Sequence, residues 1–149
     1  MQILEQQTVI LRDLISYRFG KKRDRLPQFI THATENLGNL GVPQNGRVLF
    51  TEDNSREQNI ELLIPVDGVP EPSPHFAFKP EFRLVHAVSA RHEGSFLGMD
   101  QTEKKLMDHI AANGGQMITL PYYSIVRLDA DSPGSSIVDI LIGLNYNIL

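Results

Sequence analysis

From Thr8 onwards apolar and polar positions alternate. Val9, Leu11, Ile15, Tyr17 and Phe19 take one parity, and Arg12, Ser16 and Arg18 take the other. A period of two predicts a strand, interrupted at Asp13 and stopped at Gly20. The period then lengthens. Leu26, Phe29, Ile30, Ala33, Leu37 and Leu40 recur at steps of three and four, which draws one apolar stripe on a helix. Asp24 fits the N-cap of that helix, Pro27 its first turn and Gly41 its stop. Two shorter strands are predicted at 47–52 and 60–66, separated by the polar loop Asp53-Asn54-Ser55-Arg56.

The second half repeats this order. Phe82, Leu84, His86, Val88 and Ala90 alternate against Arg83, Ser89 and Arg91, predicting a strand over 82–92 that stops at Gly94. Met99, Leu106, Met107 and Ile110 mark a helix, with Asp100 and Glu103 spaced like a capping box and Asn113-Gly114-Gly115 at its end. Strands are predicted at 122–129 and 137–144. Gly20 corresponds to Gly94 at an offset of 74 and Glu61 to Asp139 at an offset of 78. At the second offset Ile60, Leu62, Ile64 and Val66 fall on Val138, Ile140, Ile142 and Leu144. Each closing strand therefore has one aliphatic row and one acid on the opposite row.

The order β-α-β-β occurring twice predicts an internal duplication: one module over 8–66, a proline-rich connector over 67–80 and a second module over 81–145. Prolines at every second position (Pro70, Pro72, Pro74) suit a stiff extended connector. A single β-α-β-β copy leaves sheet edges and one sheet face bare, so two copies are expected to pair edges and share a core. The fold class expected is α+β, with one antiparallel sheet, helices on one face and a groove between the modules.

Composition narrows the function. The 149 residues are 41% hydrophobic and 21% charged, a globular balance. The absence of Cys excludes disulfides, thiolate metal sites and cysteine nucleophiles. A formal charge of −4 gives no general attraction to nucleic acid or anionic lipid. The N-terminus has no basic region leading into an apolar stretch, and no apolar run reaches the roughly 18 residues of a membrane span. A cytoplasmic protein is expected.

The His92-x-Gly94-Ser95-Phe96 turn into the second helix and the closing strands Glu61-Leu62-Leu63-Ile64-Pro65-Val66 and Asp139-Ile140-Leu141-Ile142-Gly143-Leu144 resemble those of a known family. It is the gyrase-inhibitor-like (GyrI-like) small-molecule-binding domain, which is also the effector-binding domain of multidrug-sensing transcription regulators. Members usually read His-x-Gly-Pro-Tyr before each helix and acid-Ile-x-Ile-Pro-Val in the closing strand. Here the first turn reads Phe19-Gly20-Lys21-Lys22, Ser95-Phe96 stands for Pro-Tyr, and Gly143 stands for the second closing proline. No helix-turn-helix is read ahead of the domain, so a stand-alone form is expected. The resemblance implies a ligand groove on the sheet face away from the helices, with Glu61 and Asp139 as its acids. Tyr17, Phe96, Tyr122 and Tyr123 are the aromatic candidates to line it.

Read from the residues alone, Asp139 and Glu61 each admit three settings: a solvated sheet face, a ligand-facing acid or a structural ion pair. His86, on the apolar parity of its strand, reads as a satisfied core or interface histidine, and His92 as a structural residue of the turn. No His pair has metal-ligand spacing, so no metal or other cofactor is expected. The basic cluster Lys21-Lys22-Arg23-Asp24-Arg25 reads as a solvated face. Gly94-Ser95-Phe96-Leu97-Gly98 does not match the Gly-x-Ser-x-Gly elbow of serine hydrolases. The leading functional reading is a non-enzymatic small-molecule-binding protein. Its alternatives are a protein-interaction module that has lost ligand binding, and a small-molecule hydrolase. The hydrolase would use Glu61 or Asp139 as base and Tyr122 or Tyr123 as hydrogen-bond donor. The partners expected are a small cationic or aromatic organic ligand, a protein, or a second copy in a homodimer, with no nucleic acid and no membrane.

Overall fold

A computed structural model of the chain describes residues 2–20, 23–128 and 135–145. Lys21 and Lys22 of the basic cluster and Asp129, the end of the strand expected over 122–129, lie outside the described residues. The chain runs β1 (Ile3–Phe19), α1 (Leu26–Glu35), α2 (Leu37–Leu40), β2 (Leu49–Glu52), β3 (Ile60–Pro65) and β4 (Ala77–Glu93). It continues through α3 (Met99–Ala112), β5 (Gln116–Met117), β6 (Tyr122–Arg127) and β7 (Ile137–Asn145). Among the described residues no helix is long and apolar enough to cross a membrane.

The sheet order is β4-β1-β3-β2-β6-β7-β5, and β4 also pairs with β7. Every pairing is antiparallel. Among the described residues, six strands therefore close a ring of hydrogen-bonded neighbours, β1-β3-β2-β6-β7-β4, and the two-residue β5 stands outside it. The α+β class and the single antiparallel sheet with helices on one face are as expected. The helices bury Leu26, Ile30, Leu37, Met99, Leu106 and Ile110 in one core with Ile15, Leu62, Ile64, Val138, Ile140 and Ile142. At about 1.5–3 kcal/mol for each large side chain, this burial is the main attraction between helices and sheet. The opposite sheet face has two small apolar clusters without any helix residue, Leu14–Leu49–Leu63 and Leu84–Ala87–Leu141, both touching Phe82 and Tyr122.

The long strands β1 and β4 exchange faces part-way. In β1, Val9 and Leu11 lie on the helix-free face, but Ile15, Tyr17 and Phe19 pack toward the helices. In β4, Leu84 and Val88 are divided in the same way. The exchange occurs where backbones turn left-handed, Asp13 at φ 56° and His86 at φ 53°. Gln6, also at φ 53°, and His86 lie at register shifts between β1 and β4, so each is the extra residue of a bulge. This corrects the reading of His86 as a core residue. The bulge turns it out of the apolar row, and it is exposed.

Both helix starts also differ from expectation. The N-cap position of α1 is Arg25, without a side-chain cap, in place of Asp24. The stripe over 26–40 is interrupted at Asn36, and the second piece, α2, ends at Gly41 in the left-handed conformation that glycine adopts without strain (φ 71°). Before α3, Ser95 accepts from the Leu97 N–H and caps a short 3₁₀ turn. Asp100 and Glu103 form no capping box, because tertiary partners take them: Arg23 donates to Asp100 and the Tyr123 hydroxyl to Glu103. The segment over 67–80, read as connector throughout, joins the sheet from Ala77 onwards.

Candidate functional site

Residues directly opposite one another on antiparallel strands project to the same face. One such row runs Arg18, Glu61, Thr51, Tyr122, Leu141, Ser89 across β1, β3, β2, β6, β7 and β4. The row beside it runs Ser16, Leu63, Leu49, Ser124, Asp139, Arg91. Glu61, Tyr122 and Asp139 thus share the helix-free face. Tyr17, Phe96 and Tyr123 do not join them. Tyr17 stands opposite Leu62 and turns to the helix side, where it meets Phe76 edge-on at 5.9 Å. Phe96 and Tyr123, each 2% exposed, stack on Phe50 in the core. Parity decides this. Adjacent residues Tyr122 and Tyr123 must face opposite ways.

Glu61 is 7% exposed and lies under a cavity of about 400 Å³. Its Oε2 accepts from Ser16 Oγ at 2.8 Å and meets Lys79 Nζ at 2.8 Å, while Oε1 faces Arg18 Nη2 at 3.5 Å. Pro74, His75, Phe76 and Ala77 form a further wall, and Gln58 completes the lining. Burial pushes the Glu61 carboxyl up. The hydrogen bonds from Lys79 and Ser16, with the charges of Lys79 and Arg18, outweigh burial and hold it below its ordinary value. Burial, and then the Glu61 charge, raise the Tyr122 phenol.

Asp139 is held differently. The Arg91 guanidinium grips it as a fork, Nε to Oδ1 at 2.8 Å and Nη2 to Oδ2 at 3.1 Å, and Arg47 Nη1 adds a contact at 3.3 Å. The cavity beside it, about 200 Å³, is lined by Gln2, Leu4, Ser89, Arg91 and Asp139. Glu61 and Asp139 lie three interstrand steps apart, roughly 14 Å along the sheet. Each acid has its own cavity and its own pair of cations.

His92 does belong to the turn before α3, as read. Its Nε2 lies 2.8 Å from the Ser95 carbonyl, which can only accept, so Nε2 carries the proton. Nδ1 lies 2.9 Å from the Thr102 hydroxyl. The ring ties the turn to the first part of α3.

Compared with solved structures, the chain superposes on the EcmrR C-terminal domain with a TM-score of 0.68 at 15% identity, covering 94% of this chain and 98% of that one. On EcmrR in its complex with DNA the TM-score is 0.77, again at 15% identity, over 97% of this chain. The chain has the fold of the EcmrR C-terminal domain. It spans 57% of the longer EcmrR chain. A hydrolase from Listeria innocua shares the fold at a TM-score of 0.57 and 11% identity, over 95% of this chain and 92% of that one. No family model matches the chain, and no curated protein matches it. The fold implied by the GyrI-like resemblance is the fold found.

On this EcmrR-like fold, Glu61 is a buried carboxylate whose hydrogen bonds are already made by Ser16 and Lys79. A carboxylate held below its ordinary value by a lysine and a serine is a weak proton acceptor near neutrality. Tyr123, buried on the other face and already donating to Glu103, has no proton to offer there. None of the residues that line the cavity with Glu61 was a candidate in the sequence, among them Ser16, Arg18, Phe76 and Lys79. The first two were visible as the polar row of β1, but nothing in that row pointed to Glu61. Lys79 and Phe76 fell in the segment read as connector.

Proposed function

We propose that this chain is a non-enzymatic small-molecule-binding protein whose ligand enters the cavity over Glu61 on the helix-free sheet face. The observation that carries the reading is an ionised carboxylate almost withdrawn from solvent under an open cavity. Ser16, Lys79 and Arg18 preorganise its floor, and the stretch from Pro74 to Ala77 closes one side. Concave sites with a few convergent polar groups beside apolar surface are where small ligands bind. Asp139 with its smaller cavity is a second polar station on the same face, and Tyr122 lies in the rows between the two. The implied ligand role of the GyrI-like resemblance agrees with this reading.

The test is a fragment screen by protein NMR on the whole chain, repeated on Ala77→Trp. Ala77 lies exposed at the cavity wall, so the indole fills the cavity without disturbing the core. Hits that shift amides around Ser16, Glu61 and Ala77, and disappear in the variant, are expected. Hits that bind the variant equally well would place the ligand elsewhere, and the reading would fail.

A further inference from the structure

We infer that the cavity over Glu61 takes a small organic anion, a carboxylate carried on a flat aromatic body; this inference rests on the reading of that cavity as the ligand site. An acid at the bottom of a cavity suggests a cationic guest, but the hydrogen bonding around it argues the reverse. Oε2 of Glu61 is occupied by Ser16 and Lys79, and Oε1 faces Arg18. One carboxylate is thus matched with two cations, and the site is positive. The Lys79 ammonium has three N–H groups and the Arg18 guanidinium five, so contact with Glu61 leaves donors on both. Both side chains are 41% exposed and line the cavity.

The same surplus recurs at Asp139, where Arg91 and Arg47 meet a single carboxylate. Four cations thus contact these two acids, and Asp53 near Arg18 and Glu93 near Arg91 are further anions outside those contacts. Within the Glu61 cavity itself the lining carries Lys79 and Arg18 against one carboxylate, which favours a small anion there. A cation entering over Glu61 would meet Lys79 and Arg18 first and would have to displace a bond already made. A carboxylate entering there finds a guanidinium suited to its planar geometry and an ammonium beside it. Pro74 on the wall offers an apolar surface for a ring.

Three probes with one ring system and different charge test this: naphthoate, naphthamide and naphthylmethylammonium, titrated calorimetrically against the whole chain. Naphthoate is expected to bind at least about tenfold more tightly than the ammonium compound. Lys79→Gln and Arg18→Gln should each remove most of that preference, and Glu61→Gln should strengthen naphthoate binding by deleting the competing carboxylate. Equal or tighter binding of the ammonium compound, lost in Ala77→Trp, overturns the anion assignment while leaving the cavity as the ligand site. Binding of none of the three overturns the assignment as well. If the fragment hits are also unchanged in Ala77→Trp, the site falls with it.

Discussion

Lys79 Nζ reaches Glu61 Oε2 at 2.8 Å, although β1 separates the two strands that carry them. The lysine crosses β1 over Ser16, whose hydroxyl donates to the same oxygen. This contact converts a buried acid, which would otherwise cost several kcal/mol to keep ionised, into a satisfied one. It also ties the start of β4 to β1 and β3.

Glu61 should therefore govern part of the acid stability. Burial pushes its carboxyl up, but the bonds from Lys79 and Ser16 and the nearby charges hold it below its ordinary 4.5. A carboxyl depressed in the folded state contributes stability that is complete above the unfolded value and is lost as pH falls through the folded one. Thermal midpoints followed from about pH 6 to about pH 3 should fall more steeply for the parent than for Glu61→Gln. The variant should be less stable by about 1–3 kcal/mol near neutrality, with the two curves converging in acid. Parallel curves would contradict this account.

The Tyr123 hydroxyl donates to Glu103 and accepts from Arg23 Nη2 at 3.0 Å. Arg23 also holds Glu52 at 2.9 Å and Asp100 at 2.5 Å. Tyr123→Phe keeps the ring stacked on Phe50 but leaves Glu103 without its donor. Urea denaturation should show a loss of about 1–2 kcal/mol. A double-mutant cycle with Glu103→Gln should give a coupling of about 1 kcal/mol, because the two groups share one bond.

Gly143 stands where a side chain does not fit. An added Cβ would lie 2.8 Å from Thr119 Cγ2 and 3.0 Å from Leu84 Cδ1. The Gly143 N–H donates to Thr119 Oγ1 at 3.0 Å, so the threonine is not free to withdraw. Gly143→Ala should cost about 1–3 kcal/mol. Adding Thr119→Ser, which removes the clashing methyl and keeps the hydroxyl, should recover part of that loss in the same denaturation assay.

His86 holds a left-handed backbone at φ 53° with its side chain exposed. Because no core contact is lost, His86→Gly should raise the melting temperature, reflecting relief of about 1 kcal/mol of strain. His86→Val should lower it, since a β-branched side chain tolerates this backbone poorly. An unchanged melting temperature in both variants would mean that the bulge relaxes at no cost.

The strand and helix positions were legible because each rests on local periodicity. Ile60 to Val66 and Ile137 to Leu144 alternate over enough residues to declare themselves, and Gly41 and Asn113 close helices where expected. The ends of elements were less legible. Asp24, Asp100 and Glu103 have the composition of caps, but Arg25 takes the N-cap position of α1, and Arg23 and Tyr123 take Asp100 and Glu103 from across the fold. The face exchanges at Asp13 and His86 were hidden for another reason. Strand parity assumes an uninterrupted pleat, and a single left-handed residue reverses it.

Sequence by itself determined the α+β order of elements, the aliphatic rows of the closing strands, and the placing of Glu61 and Asp139 opposite those rows. These follow from periods of two and of 3.6, which the chain carries locally. Only the tertiary structure decided what surrounds the acids. Lys79, Arg18, Arg47 and Arg91 come from other strands and loops, and a residue's charge is unaltered by its neighbours in sequence while its field depends on its neighbours in space. For that reason an acid legible as a candidate ligand group stands in a site whose local charge is positive.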